Sequence, residues 1–163
     1  MTTSWRCHPT PLGSMILAAT PDGLIGAWFS GQAHCPGVAA DWHEDLANPL
    51  LRAAGQQLDE WFSGRRQQFA LPLAAQGTAF QRAVWDEIAR VGYGQTRTYA
   101  EVAARLGKPG AARAAGAATA HNPLAIIVPC HRLLGSHGAL VGYAGGLERK
   151  RALLALEAAH APA

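Results

Sequence analysis

The chain has 163 residues, of which 49% are hydrophobic and 15% are charged, and its formal net charge is +3. This composition supplies a sizeable hydrophobic core and therefore excludes a largely disordered protein. The length predicts one domain or two small ones. The mild positive charge is compatible with nucleic-acid binding but does not predict it, because many soluble proteins are equally basic.

The three cysteines, Cys7, Cys35 and Cys130, form neither a CxxC pair nor an even disulfide framework. The first residues are too polar for a secretory signal, and no run of roughly 18 apolar residues is long enough to span a membrane. We therefore expect a cytoplasmic protein with reduced thiols and no membrane partner.

The seven histidines raise the question of a metal site. None belongs to an HExxH motif or to a close Cys/His cluster of the usual zinc spacing. Cys7 and His8 have the ligand chemistry to meet His34 and Cys35 across a hairpin. Isolated loop histidines are the better interpretation, and we expect no metal.

The N-terminal half predicts strands followed by one helix. Ser14 to Ala19 and Leu24 to Phe29 are short apolar strands, separated by the turn signal Thr20-Pro21-Asp22-Gly23. A helix is predicted from Pro49 to Phe62, because Asn48 can cap it and proline suits the first helical position. The segment Leu71 to Gly77 is the best candidate for a linker.

After the linker the pattern becomes that of compact helices. Thr78 can cap one helix. Thr98 can cap a second, with Glu101 three residues later completing a capping box. A third helix is predicted from about Ala111 to Ala120.

This third helix contains seven alanines together with Arg113, Gly116 and Thr119. A core helix would carry larger apolar residues, whereas this one has so little bulk that its backbone could approach a broad surface closely. Helix, short turn and small-residue helix are the order of a helix-turn-helix motif. An alanine-rich filler helix packed on a neighbour is the alternative.

A second unusual segment is the run from Ile126 to Arg132, which places Cys130 directly before His131 and after Pro129. A thiol is nucleophilic as thiolate, and a neighbouring base is a common way of forming it near neutral pH. The alternative is a buried structural cysteine beside an unrelated histidine.

Taken together, these segments resemble the methylated-DNA–protein-cysteine methyltransferases, which remove alkyl groups from the exocyclic oxygen of guanine. The most specific match is PCHR at Pro129–Arg132 followed by GYxGG at Gly142–Gly146. Further matches are Asn122-Pro123, Lys150, Leu153-Leu154, Glu157, Thr98-Tyr99, Thr78–Gln81 and Ala112–Ala114. The resemblance covers about residues 75 to 158, and the N-terminal half matches more loosely.

The resemblance implies an α+β fold. A small N-terminal domain, residues 1–75, would contain a three-stranded antiparallel sheet and a helix and would support the other half. The mainly helical domain, residues 76–163, would carry the active-site cysteine and a winged helix-turn-helix-like DNA-binding motif.

It also implies a role for each matching residue in the reaction. Cys130 accepts the alkyl group, and His131 acts through a water as the base. Glu157 orients His131, and Asn122 is the hinge between the recognition helix and the active-site loop. Tyr99 helps turn the nucleotide and protonates the departing guanine.

DNA contacts are implied for the small-residue helix. Arg113 fills the space left by the extruded nucleotide, with the helix pressed into the minor groove. The neighbouring positions expected to face DNA are Ala112, Ala114, Gly116 and Thr119.

The implied base pocket consists of Tyr143, Leu133, Ala144 and Gly145, with Tyr143 stacking on the base. Ala144 lacks the side-chain hydroxyl that some relatives carry at this position. Ala125 stands where some relatives carry a second proline. Both differences widen the pocket, so the accepted alkyl size stays open, although a methyl group should fit.

The expected activity is irreversible transfer of an alkyl group from O-6 of guanine to Cys130, once per molecule and without a cofactor. The expected partner of the monomeric protein is double-stranded DNA containing O-6-alkylated guanine. Two alternatives are a non-catalytic damage-binding relative, which would lack the cysteine, and a cysteine hydrolase, which would not explain the Arg113 helix.

Overall fold

The computed structural model describes residues 2–161, so the outermost ends of the two predicted domains, residue 1 and residues 162–163, lie outside the described residues. Strands dominate the first third of the chain and helices the remainder, which confirms the predicted α+β class. The elements in chain order are β1 (Ser4–His8), β2 (Met15–Thr20), β3 (Gly23–Phe29), β4 (His43–Glu44), α1 (Pro49–Phe62), α2 (Ala79–Ala89), β5 (Arg97–Thr98), α3 (Tyr99–Arg105), α4 (Ala112–Ala120), β6 (Leu133–Leu134) and α5 (Leu147–His160).

The N-terminal sheet has four strands in the order β3-β2-β1-β4, where three were expected. The first three strands are antiparallel, as predicted, and β4 pairs parallel to β1. Sequence patterning missed β4 because it consists of only His43 and Glu44, both exposed, and so shows no apolar alternation.

The outer edge of β3 is covered by two segments from later in the chain. The amide of Leu24 donates to the carbonyl of Pro72 at 2.8 Å, so the predicted linker is hydrogen-bonded to the sheet. Further along the strand, the Ala27 amide donates to Pro123, and its carbonyl accepts from Ala125. The segment leading towards Cys130 is thereby fixed to the N-terminal sheet, and the sheet edge is satisfied.

Helix α1 packs its apolar face on the sheet. Asn48 caps it by accepting a hydrogen bond from the Leu51 amide at 3.0 Å, and Pro49 occupies the first turn, as predicted. Leu51, Leu58 and Trp61 are fully buried, which places the core between the sheet and the helices.

The helical part begins with two capped helices. Thr78 caps α2 and Thr98 caps α3, and in both cases the residue three positions later, Gln81 or Glu101, completes a capping box. The capping box predicted at Thr98 is thus confirmed.

Helix α4 follows α3 after a short connection, which gives the predicted helix-turn-helix order. It has no side-chain cap, and its inner face buries only Ala115, Ala118 and Thr119. The indole of Trp85 in α2 donates to the Ala118 carbonyl at 2.9 Å. None of the helices described between residues 2 and 161 is long and apolar enough to cross a bilayer.

Trp85→Phe should lower the free energy of unfolding by about 1 kcal/mol, because it removes a buried hydrogen bond to the Ala118 carbonyl, which then keeps only the His121 amide at 3.2 Å as a donor. Urea unfolding measures this change. Trp42→Phe makes the same exchange at a half-buried site in the N-terminal part. An equal loss in both variants would mean that the indole hydrogen bond contributes nothing.

Candidate active site

Cys130 begins a single 3₁₀ turn, Cys130–Arg132, and is 5% exposed. The preceding segment is sharply folded, because Ile126 has a φ of 71° and the Val128 amide donates back to Leu124 at 2.8 Å. A β-branched residue in this left-handed region is strained, and the surrounding packing must hold it there. The thiol therefore has a fixed position.

Asn122 connects the end of α4 to this thiol. Its side-chain amide donates to Cys130 Sγ at 3.2 Å and to the Val128 carbonyl at 2.9 Å, while its Oδ1 accepts from the Leu124 amide at 3.0 Å. The residue is buried, so these bonds are shielded from water. This geometry suits the hinge role implied for Asn122.

Glu157 of α5 is the buried centre of a second network. One carboxylate oxygen lies 2.6 Å from Nε2 of His131. Arg132 donates to both oxygens at 2.8–3.0 Å, and the Gly94 amide donates at 3.1 Å. The Arg132 guanidinium also reaches the Val91 carbonyl at 2.6 Å. Four donor atoms from two parts of the chain, the active-site turn and the loop at Gly94, thus meet one carboxylate of α5.

Burial and these hydrogen bonds set the charge states. Burial alone raises the pKa of the Glu157 carboxyl, but the hydrogen bonds from His131 and Arg132 outweigh it and lower the pKa to about 2. Burial lowers the pKa of His131, which is therefore neutral at neutral pH. Burial likewise raises the pKa of the Cys130 thiol, although the Asn122 hydrogen bond and nearby Lys150 oppose this shift. The resting pair is a thiol beside a neutral imidazole held by a carboxylate.

The thiol lies in a cavity of about 190 Å³ that combines the two halves of the chain. Its wall contains Tyr99 of α3, three small residues of α4, the GYxGG loop and two residues of the N-terminal part. The lining residues are Ala33, His34, Tyr99, Gly116, Thr119, Ala120, Cys130, Gly142, Tyr143 and Ala144. A larger cavity of about 440 Å³ lies behind the active-site segment, against Ile126 and Pro129, and Cys130 does not line it.

The GYxGG loop is held by a buried ammonium group. Lys150 is fully buried, and its Nζ donates to the carbonyls of Val141 and Gly142 at 2.9 and 3.0 Å. The Tyr99 hydroxyl donates to the same two carbonyls at 3.4 and 3.3 Å. Burial lowers the pKa of Lys150 to about 8. Burial also raises the pKa of Tyr99, which keeps its hydroxyl protonated.

Helix α4 presents Arg113 and Ala114 to solvent. Ala112, Arg113 and Gly116 border an open groove of about 420 Å³ that also reaches Tyr99. Thr119 is buried, and its hydroxyl donates to the Ala115 carbonyl at 2.7 Å. Of the positions expected to face DNA, Gly116 and Thr119 line the cavity of Cys130, whereas Arg113 is exposed at the surface.

Two expected pocket residues lie outside the cavity wall. Leu133 is fully buried in β6, opposite Arg97 of β5. Gly145 is buried directly behind Tyr143, where an added Cβ would stand 2.6 Å from the ring. Gly145 therefore leaves room for the ring, and the ring lines the cavity.

Sequence reasoning assigned no role to Arg132, Lys150 or Ala33, and it considered His34 only as a possible metal ligand. Arg132 and Lys150 belong to the segments that resemble the family, and this was the available signal for a role. Their burial, which is unusual for charged residues, is visible only in the structure. Ala33 and His34 lie between Gly31 and Pro36, in a segment where the sequence predicts neither a helix nor a strand. The suggested metal cluster does not form: His8 pairs with Asp59 at 2.8 Å, and within residues 2–161 no three His, Cys, Asp or Glu side chains converge on a metal position.

A buried cysteine with a histidine–glutamate pair behind it, next to a helix-turn-helix, defines a class of proteins with a thiol nucleophile beside a nucleic-acid-binding motif. Residues 79–159 match the family described as "6-O-methylguanine DNA methyltransferase, DNA binding domain", and residues 4–75 match its "ribonuclease-like domain". The chain therefore belongs to the 6-O-methylguanine DNA methyltransferase family.

Individual relatives match along nearly their whole length. A methylated-DNA–protein-cysteine methyltransferase of Mycolicibacterium paratuberculosis is 44% identical over 160 residues, covering 98% of this chain and 94% of the relative. One from Methanosarcina barkeri is 45% identical over 148 residues, covering 91% and 92%. The crystal structure of Mycobacterium tuberculosis OGT in complex with DNA superposes with a TM-score of 0.89 at 42% identity, covering 98% and 96%.

Glu157→Gln should destabilise the protein at pH 7 by at least about 2 kcal/mol, because it leaves the buried Arg132 charge without its counter-ion. The folded-state pKa of about 2 lies below the ordinary value of 4.5, so this stabilisation is complete above pH 4.5 and is lost as pH falls towards 2. Urea unfolding from pH 7 to pH 3 should therefore show the gap to wild type narrowing below pH 4.5. A gap that stays constant would contradict an ionised Glu157.

Proposed function

We propose that this chain repairs DNA by transferring the alkyl group from O-6 of guanine to Sγ of Cys130. The observation that carries the proposal is the position of Sγ in a cavity whose wall includes the helix-turn-helix helix α4, with the His131–Glu157 pair behind it. The bond from the alkyl carbon to O-6 breaks as the bond to sulfur forms, and the thiol proton is transferred in net to the guanine. The protein is a transferase that needs no cofactor, since the substrate carries the group.

The site residues divide this reaction between them. Nε2 of His131 is engaged by Glu157, so Nδ1 is the nitrogen that receives the thiol proton, through a water. Glu157 stabilises the resulting imidazolium, as in other nucleophile–base–carboxylate sites. Tyr99 supplies a proton to the departing guanine; burial raises the pKa of Tyr99, so its hydroxyl carries that proton at neutral pH, and the His131 imidazolium returns a proton in net to the tyrosine.

Duplex DNA containing O-6-alkylated guanine is the partner. A base stacked in a duplex cannot reach a thiol that is 5% exposed, so the nucleotide must be extruded into the cavity. The exposed Arg113, at the groove beside the cavity, fills the vacated stack, and the small residues of α4 allow the helix to enter the minor groove. Tyr143 stacks on the extruded base.

We further propose that each molecule acts once, because a thioether has no easy route back to the thiol, and that the protein works as a cytoplasmic monomer. Residues 1–75 form a supporting domain and residues 76–163 the transferase domain. Two hydrogen bonds support this division, one from the Ala27 amide to the Pro123 carbonyl and one from the Ala125 amide to the Ala27 carbonyl, since they hold the active-site segment on the sheet.

Cys130→Ala should abolish alkyl uptake while retaining DNA binding, because Cys130 alone combines a thiol with the adjacent base. Intact mass after incubation with O-6-methylguanine duplex should show one added methyl group on wild type and none on the variant. Cys35→Ala is the matched control and should still be methylated. A methyl group mapped to Cys7 or Cys35 would overturn the assignment, and binding without mass change would indicate a damage-binding protein.

Arg113→Ala should slow repair of duplex DNA much more than reaction with free O-6-methylguanine base, since the free base needs no extrusion. Rates of mass gain on the two substrates measure this difference. Arg151→Ala removes another exposed arginine, on α5, and serves as the control. Equal losses on both substrates would make Arg113 a structural residue or a simple phosphate contact.

A further inference from the structure

A histidine from the N-terminal part lies at the open side of the Cys130 cavity. His34 lines the cavity and is exposed, whereas Cys130 at its inner end is buried. The backbone of His34 has a φ of 60°, in the left-handed region that is uncommon for residues with a side chain. The loop is therefore held in a particular shape that directs this residue to the cavity.

The His34 ring packs in a tilted stack against the ring of His121, which ends helix α4. The ring centroids are 4.1 Å apart, and the planes are inclined by 33°. His121 is itself fixed, because its Nδ1 donates to the Ala117 carbonyl at 2.9 Å. It also directly precedes Asn122, which contacts the thiol. The stack thus joins the N-terminal loop to the segment that positions the nucleophile.

Backbone and side-chain hydrogen bonds support the loop on its other side. The Ala33 amide donates to the Ala144 carbonyl at 3.0 Å, which ties the loop to the GYxGG loop across the cavity mouth. The Gln32 side chain accepts from the Phe29 amide at 2.8 Å and anchors the loop to the end of β3. The loop that carries His34 is therefore fixed both to the GYxGG loop and to the end of β3.

We propose that His34 is a specificity-determining residue whose imidazole limits the size of the alkyl group that can enter with the guanine. This inference rests on the proposed function. The cavity of about 190 Å³ is small beside the 300–1,000 Å³ of typical sites for drug-sized ligands. A base with a methyl group needs little extra room, whereas an aromatic alkyl group must use the space that the His34 ring occupies.

This role complements a small residue, Ala144, that lies across the cavity mouth from the His34 loop. Ala144 lacks a side-chain hydroxyl and widens the pocket from the GYxGG loop, while the His34 ring narrows it from the opposite loop. The stack on His121 resists displacement of the ring, because moving the ring aside separates the two aromatic faces. Selection against bulky groups therefore depends on the ring and on its support.

The test compares the rates at which the protein gains mass from free O-6-benzylguanine and from free O-6-methylguanine. His34→Gly and His34→Asn both remove the ring, and both residues tolerate a φ of 60°. In each variant the ratio of the benzyl rate to the methyl rate should rise roughly tenfold. This is the rate loss that one poorly fitting group typically causes in a pocket matched to its substrate by shape. The methyl rate should change less than the benzyl rate, and an unchanged melting temperature shows that the variants are folded.

His121→Ala removes the stacking partner and should raise the same ratio by a smaller factor. Val38→Ala, at an exposed position further along the same loop, is the control and should leave the ratio at the wild-type value. An unchanged ratio in His121→Ala would overturn the role assigned to the stack.

The outcomes separate this inference from the function on which it rests. Wild-type protein that gains no methyl group from free base or from methylated duplex would overturn the proposed function. Normal methyl uptake with an unchanged ratio in both His34 variants would overturn the size limit alone. A rise confined to His34→Gly would assign the effect to loop flexibility and would also overturn it.

Discussion

The ion pair between Arg132 and Glu157 is the interaction on which the active site depends. Two charges removed from water are stable only when they are fully paired, and here the carboxylate also holds His131 and the Gly94 amide. Because the carboxylate comes from α5 and the histidine from the active-site turn, pairing fixes the last helix against the loop. The same bonds keep Glu157 ionised, which is the state that can support an imidazolium.

The thiol is positioned by a second, separate support. Asn122 contacts Cys130 Sγ, and the segment that follows it is hydrogen-bonded to β3 through Ala27. The N-terminal sheet therefore acts on the chemistry through the backbone, although its residues lie about a hundred positions from Cys130 in the sequence. Strain at Ile126 is maintained by this attachment and by the surrounding packing.

Both halves of the chain contribute to the cavity wall. In our proposal the helical half carries out the reaction, and the N-terminal half contributes to the choice of substrate. The helical half supplies Cys130, His131 and Tyr143, to which we assign the reaction. The loop of Ala33 and His34 supplies part of the outer wall, and in our proposal it decides which alkyl groups reach the sulfur. A change in that loop would thus alter selectivity while leaving the proton-transfer residues in place.

The sequence by itself determined what local rules encode: the capped helices, the antiparallel strands and the PCHR motif that indicated the family. Only the tertiary structure showed β4, the attachment of Pro123 and Ala125 to β3, the burial of Lys150 and the stack of His34 on His121. It also placed Leu133 and Gly145 outside the cavity wall. Local patterns record periodicity and capping, whereas these features are contacts between distant residues, and a charged or loop residue carries no local signal of what will pack against it.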